Sequence, residues 1–227
     1  MQRLLALFLA MTTLLAFGDD TPRERIAAVL ARSQRIQLDA LTAADASSVA
    51  SQRVRASFQA LVANLHLPEI ELTLIRGPVV AETLHGHVLV ANESLGKLSE
   101  GQRRFILAHE MGHVMLGHWA QMVALYEHWI PGDVTPTETD AVANRLGRDA
   151  SALAHQQEYE ADAFGARLLA DLGLDEEDAV TAFMSLGVYN DTATHPGTMR
   201  RVAALRAAAA SPTLQAAAMF EPRSADR

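Results

Sequence analysis

The chain has 227 residues, 49% of them hydrophobic and 20% charged, with a net charge of −8 and no cysteine. This length and balance suit a single globular domain, and the acidic surplus, with no Lys/Arg cluster, argues against a nucleic-acid partner. Without cysteine there can be no disulfide, thiol catalysis, thiolate metal ligand or cysteine-linked lipid, so any metal must be held by His and carboxylates.

The chain opens MQRLLALFLAMTTLLAFGDD. Arg3, an apolar run from Leu4 to Phe17 and small residues at Ala16 and Gly18 have the layout of a secretory signal peptide, residues 1–18, cut before Asp19. The run is shorter than the roughly 20 apolar residues of a membrane span; an uncleaved anchor is the alternative. No later segment is long and apolar enough to cross a bilayer, so the mature chain, exported to the periplasm or secreted, is expected to lack a span. Thr21-Pro22 is a helix start. From there to Leu67, apolar residues recur at helical spacing: Ile26, Val29 and Leu30, then Val54, Phe58, Leu61, Val62 and Leu65. This predicts two helices, or one bent near Ala43–Ser48, ended by Pro68.

Three β-like stretches follow: EIELTLI (69–75), VVAETL (79–84) and HVLVAN (87–92), a small sheet in an otherwise helical chain. A helix is expected from Glu100 to about Tyr126, a loop over WIPGDVTPTETD (129–140) and a long helix from about Ala141 to Leu172. Two shorter helices should follow, over 176–186 and from about Thr198, with a flexible tail at 213–227. The fold class is thus α+β and mainly helical. The single domain spans residues 19–212, with N-terminal helices to 67 and a core from 68.

The sequence FILAHEMGHVMLGH (105–118) contains His-Glu-x-x-His. Four residues apart on a helix, His109 and His113 share a face and can reach one ion. Glu110, roughly 100° further round, sits beside that ion, placed to take a proton from the attacking water and pass it to the leaving amine. Gly112 lets another backbone approach. On a continuous helix His118 points roughly 140° from His113 and 180° from His109, so it is read as a helix-end or packing residue. A catalytic zinc needs a third protein ligand, and QEYEADAFG (157–165) offers one. Glu158 and Asp162 share a helix face, so Glu158 can bind the metal while Asp162 holds the N–H of a ligating histidine. Glu160, roughly 200° round from Glu158, should face elsewhere.

HEMGH, then EYEAD forty-five residues past His113, then THPGTMRR resembles the HtpX-like and CAAX-prenyl-protease family of zinc metallopeptidases over residues 79–205. The resemblance implies a zincin-like fold with a small sheet beside the HExxH helix. It makes His109, His113 and Glu158 the ligands of one Zn2+ per chain, Glu110 the catalytic base and Asp162 the residue behind a ligand. It also gives catalytic roles to His195, of a His-Pro pair, and to Arg201. A His or Arg donor beside the zinc can stabilise the oxyanion of peptide hydrolysis; His195 could instead swing onto the metal and block it. The family pairs extended substrate with a strand beside the cleft, for which HVLVAN is the candidate. His85 and His87, with no accompanying carboxylate, read as rim residues. The loop at 129–139 either covers the cleft or simply connects.

The sequence therefore reads as an exported zinc metalloendopeptidase acting on polypeptides, misfolded envelope proteins among them, in quality control or processing. The rival reading is a zinc-stabilised latent or chaperone-like binding protein that does not turn substrate over.

Overall fold

The computed structural model describes residues 24–63 and 69–209. The signal-peptide assignment, the Thr21-Pro22 helix start, Pro68 and the tail from 213 lie outside the described residues. Among those described, the chain is mostly helical with one four-stranded mixed sheet, and no helix is long and apolar enough to cross a membrane.

The N-terminal helical pattern is two helices. Helix α1 (Ile26–Ala40) leads into a short strand β1 (Thr42–Ala43). Asp45 then turns the chain by accepting from Ser47 N, and the Ser48 hydroxyl caps α2 (Val49–Val62) by accepting from Ser51 N. The expected weak point at 43–48 is where the helix divides.

Strands β2 (Glu71–Arg76), β3 (Ala81–Leu84) and β4 (Val88–Asn92) join β1 in the order β1-β2-β4-β3, with β2 and β4 parallel and the other pairs antiparallel. All five residues of β4 are buried. Leu89 and Ala91 face the main core with Leu74, while Val88 and Val90 face α1 with Ile75 and Leu84. This corrects the expectation for HVLVAN. With β2 on one side and β3 on the other, β4 has no free edge to offer a peptide, and the strand at the near edge is β3.

Asn92 Nδ2 donates to the carbonyls of Gly77 and Val79, while Asn92 Oδ1 accepts from Ser94 N. A 3-10 turn (Glu93–Lys97) then delivers the chain to α3 (Glu100–Met115), which starts in a reciprocal capping box between Ser99 and Gln102. The expected helix to Tyr126 is two helices. Gly117 takes the left-handed conformation (φ 68°), α3 ends, and α4 (His118–Trp129) leaves in a new direction. The connecting loop is shorter than expected, because Thr135 caps by accepting from Glu138 N and Pro136 is the first residue of α5 (Pro136–Asp171). Helices α6 (Glu176–Leu186) and α7 (Thr198–Ala209) complete the order.

Helix α3 is the centre. Phe105, Ile106, Leu107, Ala108 and Met111 share one core with α2, the inner sheet face, α5, α6 and α7. A second core of Ile26, Tyr126, Ile130, Leu146 and Ala150 ties α1 and α4 to the start of α5. The α3–α5 crossing is close because both sides carry glycine. A Cβ on Gly112 would meet Ala161 Cα at 3.0 Å, and one on Gly165 would meet His109 N at 3.2 Å.

Gly112→Val should therefore destabilise by about 1–3 kcal/mol through overpacking. Gly147→Ala, where an added Cβ meets nothing within 4 Å, should stabilise by about 0.5–1 kcal/mol. Urea unfolding of the two variants would reveal the difference in sign.

Candidate metal centre

The last turns of α3 carry His109, Glu110 and His113, and α5 crosses them with Glu158 and Asp162. His109, Glu110, Glu158 and Asp162 are buried. His109 Nε2 and His113 Nε2 lie 3.2 Å apart, and Glu158 places its two oxygens 3.7 Å and 3.4 Å from them. These three residues form a group whose donor atoms lie within 4.8 Å of one another. A tetrahedral zinc with bonds of about 2.0–2.2 Å spaces its donors by roughly 3.3–3.5 Å. Two neutral nitrogens and one carboxylate at these separations fit such an ion.

Behind the triad, His109 Nδ1 lies 2.9 Å from Asp162 Oδ1, so the imidazole donates there and turns Nε2 toward the metal position. Arg201 grips the same carboxylate in a fork, Nε to Oδ2 at 2.8 Å and Nη2 to Oδ1 at 2.5 Å. Its Nη1 lies 2.9 Å from Glu158 Oε2, and its guanidinium stacks 4.6 Å above the Phe183 ring. The 3.3 Å approach of Arg201 Nη2 to His109 Nδ1 is a proximity of two donors sharing Asp162.

Burial alone would raise the pKa of both acids, but Arg201 reverses this and holds each well below the usual carboxylate range. Glu158 is helped by His113 and His109, and Asp162 by His109. Burial would lower the His109 pKa, yet the Asp162 hydrogen bond and the Glu158 charge leave it raised.

The resemblance implies one role for His195 and Arg201; in the fold they stand in different settings. Arg201 turns inward onto the two carboxylates. His195 stands at the cleft mouth, its side chain 54% exposed, with Nε2 3.6 Å from Glu158 Oε1. The Thr192 hydroxyl accepts from His195 N, and Thr194 Oγ1 lies 2.8 Å from His195 Nδ1. Partial desolvation by the cleft wall lowers its pKa despite the Glu158 charge.

Two features, at Thr83 and Glu82, went unread in the sequence, and His118 stands at a helix end as expected but with an unexpected partner. Thr83 Oγ1, on the outer strand, lies 2.9 Å from Glu110 Oε2 and 2.9 Å from Glu110 O; a lone threonine in a strand carries no signal for this. His118, placed by the break at Gly117, lies with Nδ1 2.8 Å from His113 Nδ1 and outside the triad. Glu82, beside Thr83, accepts from Gln37 Nε2 through Oε2, and its Oε1 is buried without a hydrogen-bond partner among the described residues. His85 lies edge-on to Trp119 and His87 is exposed; neither lines the cleft. A cleft of about 640 Å³ runs past Thr83, Glu110, His113, Trp119, Tyr189 and His195, and no residue of 129–139 lines it.

A sequence profile of peptidase family M48 matches residues 48–209. The chain belongs to that family. The match takes in the α3, α5 and α7 residues just described, agrees with the HtpX-like resemblance and gives the chain a metallopeptidase function. No curated protein matches the chain significantly.

Glu82 gives a pH prediction. Burial first, then the charge of Glu110, pushes its pKa up to about 7, against the pull of Gln37. A carboxyl whose folded pKa is raised contributes stability below its unfolded value, about 4.5, and that contribution is lost as pH rises through about 7. In chelator-treated protein, Glu82→Gln should gain on the order of 3 kcal/mol over wild type between pH 4 and pH 8. Urea unfolding at both pH values would check the sign.

Proposed function

We propose that the chain is an exported zinc-dependent endopeptidase. The observation that carries this reading is the His109, His113 and Glu158 triad, with donor spacings suited to tetrahedral zinc and Glu110 adjoining it on the cleft. When bound, zinc would polarise the scissile carbonyl and lower the pKa of water.

The protein's own groups supply the rest. Glu110, its Oε2 held by Thr83, is the base that takes the water's proton and returns it to the leaving amine. His195, at the cleft mouth, is the donor for the developing oxyanion. Arg201 lines the cleft beside the triad and, with Asp162, holds His109 and Glu158 in place. Endopeptidase action is supported by the outer edge of β3, unpaired among the described residues, where Val80 to Thr83 line the cleft and an extended peptide can add as a strand between its own ends.

The opening sequence supports residues 1–18 as a signal peptide and a periplasmic or secreted peptidase domain over 19–212, with its core from 68 and a tail at 213–227. The HtpX-like resemblance supports misfolded or immature envelope proteins as substrates.

Glu110→Gln tests the reading against a latent binding protein that holds the same metal. It should keep zinc and folding while lowering casein hydrolysis by about 10²–10⁴-fold. Wild-type protein that binds zinc yet cuts no faster than the variant would favour the binding protein.

A further inference from the structure

His109 and His113 both need a hydrogen on Nδ1 if both present Nε2 to a metal. For His109 the acceptor is Asp162. Among the described residues no carboxylate bonds His113 Nδ1; the atom found there is Nδ1 of His118, 2.8 Å away. A contact that short between two ring nitrogens requires one hydrogen between them. With His113 Nδ1 as donor, His118 Nδ1 must accept, and the neutral His118 ring then carries its hydrogen on Nε2. That nitrogen lies 3.2 Å from Glu160 Oε2. Only one assignment of hydrogens satisfies the whole chain, and it ends on a carboxylate.

The surroundings hold the chain in place. Gly117 breaks the helix so that His118 turns back toward His113, and Gln157 Nε2 donates to the His118 carbonyl at 3.1 Å. Gln156 Nε2 donates to Glu160 Oε1 at 2.7 Å. His118 is 3% exposed, so water does not compete for its contact with His113. Glu160, two residues past Glu158, faces away from the metal triad and toward this histidine.

We propose that His118 and Glu160 are positioning residues: a relay that fixes the tautomer and ring orientation of His113 and so strengthens its hold on the metal. Each ligating histidine then has its own carboxylate, Asp162 directly and Glu160 through His118. The proposal rests on the zinc reading of the triad.

The test is zinc affinity, measured by competition with a chromophoric chelator, together with the visible spectrum of the cobalt(II)-substituted protein. His118→Phe fills the space without an acceptor and should weaken zinc binding by about 10–100-fold. His118→Asn restores an acceptor where Nδ1 stood and should recover most of that loss, with a wild-type cobalt spectrum. Glu160→Ala alters a side chain 39% exposed and spares the core; it should weaken zinc binding several-fold at unchanged metal-free thermal stability. If Glu160→Ala and His118→Phe bind zinc as wild type does, the relay is overturned. It is equally overturned if His118→Asn is as weak as His118→Phe at equal metal-free stability, since packing alone would then explain the loss. Wild-type protein that binds neither metal would instead overturn the zinc reading itself.

Discussion

Everything at the centre depends on how closely α3 and α5 cross. Gly112 and Gly165 remove the side chains that would hold the helices apart, and only at that separation does the face of α5 bearing Glu158 and Asp162 reach the face of α3 bearing His109 and His113. Such an approach brings two carboxylates into a buried setting, where an uncompensated charge costs several kcal/mol. Arg201, from α7, supplies the compensation. One guanidinium meets Asp162 through two nitrogens and Glu158 through the third, so both acids remain ionised in the core and available as ligand and hydrogen-bond acceptor.

The site is thus assembled from three helices, each with a separate duty. Helix α3 brings two imidazoles and Glu110. Helix α5 brings the third donor and the acceptor behind His109. Helix α7 carries the charge balance, and the loop before it carries His195. The sheet completes the cleft by placing Thr83 against Glu110 and, among the described residues, leaving the outer edge of β3 unpaired. Breaking α3 at Gly117 has two effects. It sends α4 away to build the second core with α1, and it returns His118 to the back of His113. A straight helix would have done neither.

Much of this was legible in the sequence. His109, Glu110 and His113 follow from helical spacing, and Glu158 with Asp162 follows from the same rule applied to a second helix. Three of the four strands were readable from alternation and turn residues; the two-residue β1, in a stretch expected to be helical, was not. What failed was information that spacing along one element does not hold. Gly117 could be an interior helix glycine or a stop, and only its left-handed backbone decides. Pairing order is nonlocal, although the unbroken apolar run VLVA was a usable sign that β4 is covered on both faces and therefore central. Helix α5 starts five residues before the expected Ala141, because Pro136 is its first residue, with Thr135 before it and Glu138 after it marking a first turn. Arg201 was found by its place after the His-Pro pair, but its direction was not, since only the fold shows which carboxylates it meets.

The account rests on the triad being a metal site, and metal content tests that most directly. Protein purified without chelator should carry one zinc per chain, and Glu158→Ala, folded by circular dichroism, should carry little or none. Folded wild-type protein with no bound metal, or a variant that retains full zinc, would contradict the central claim.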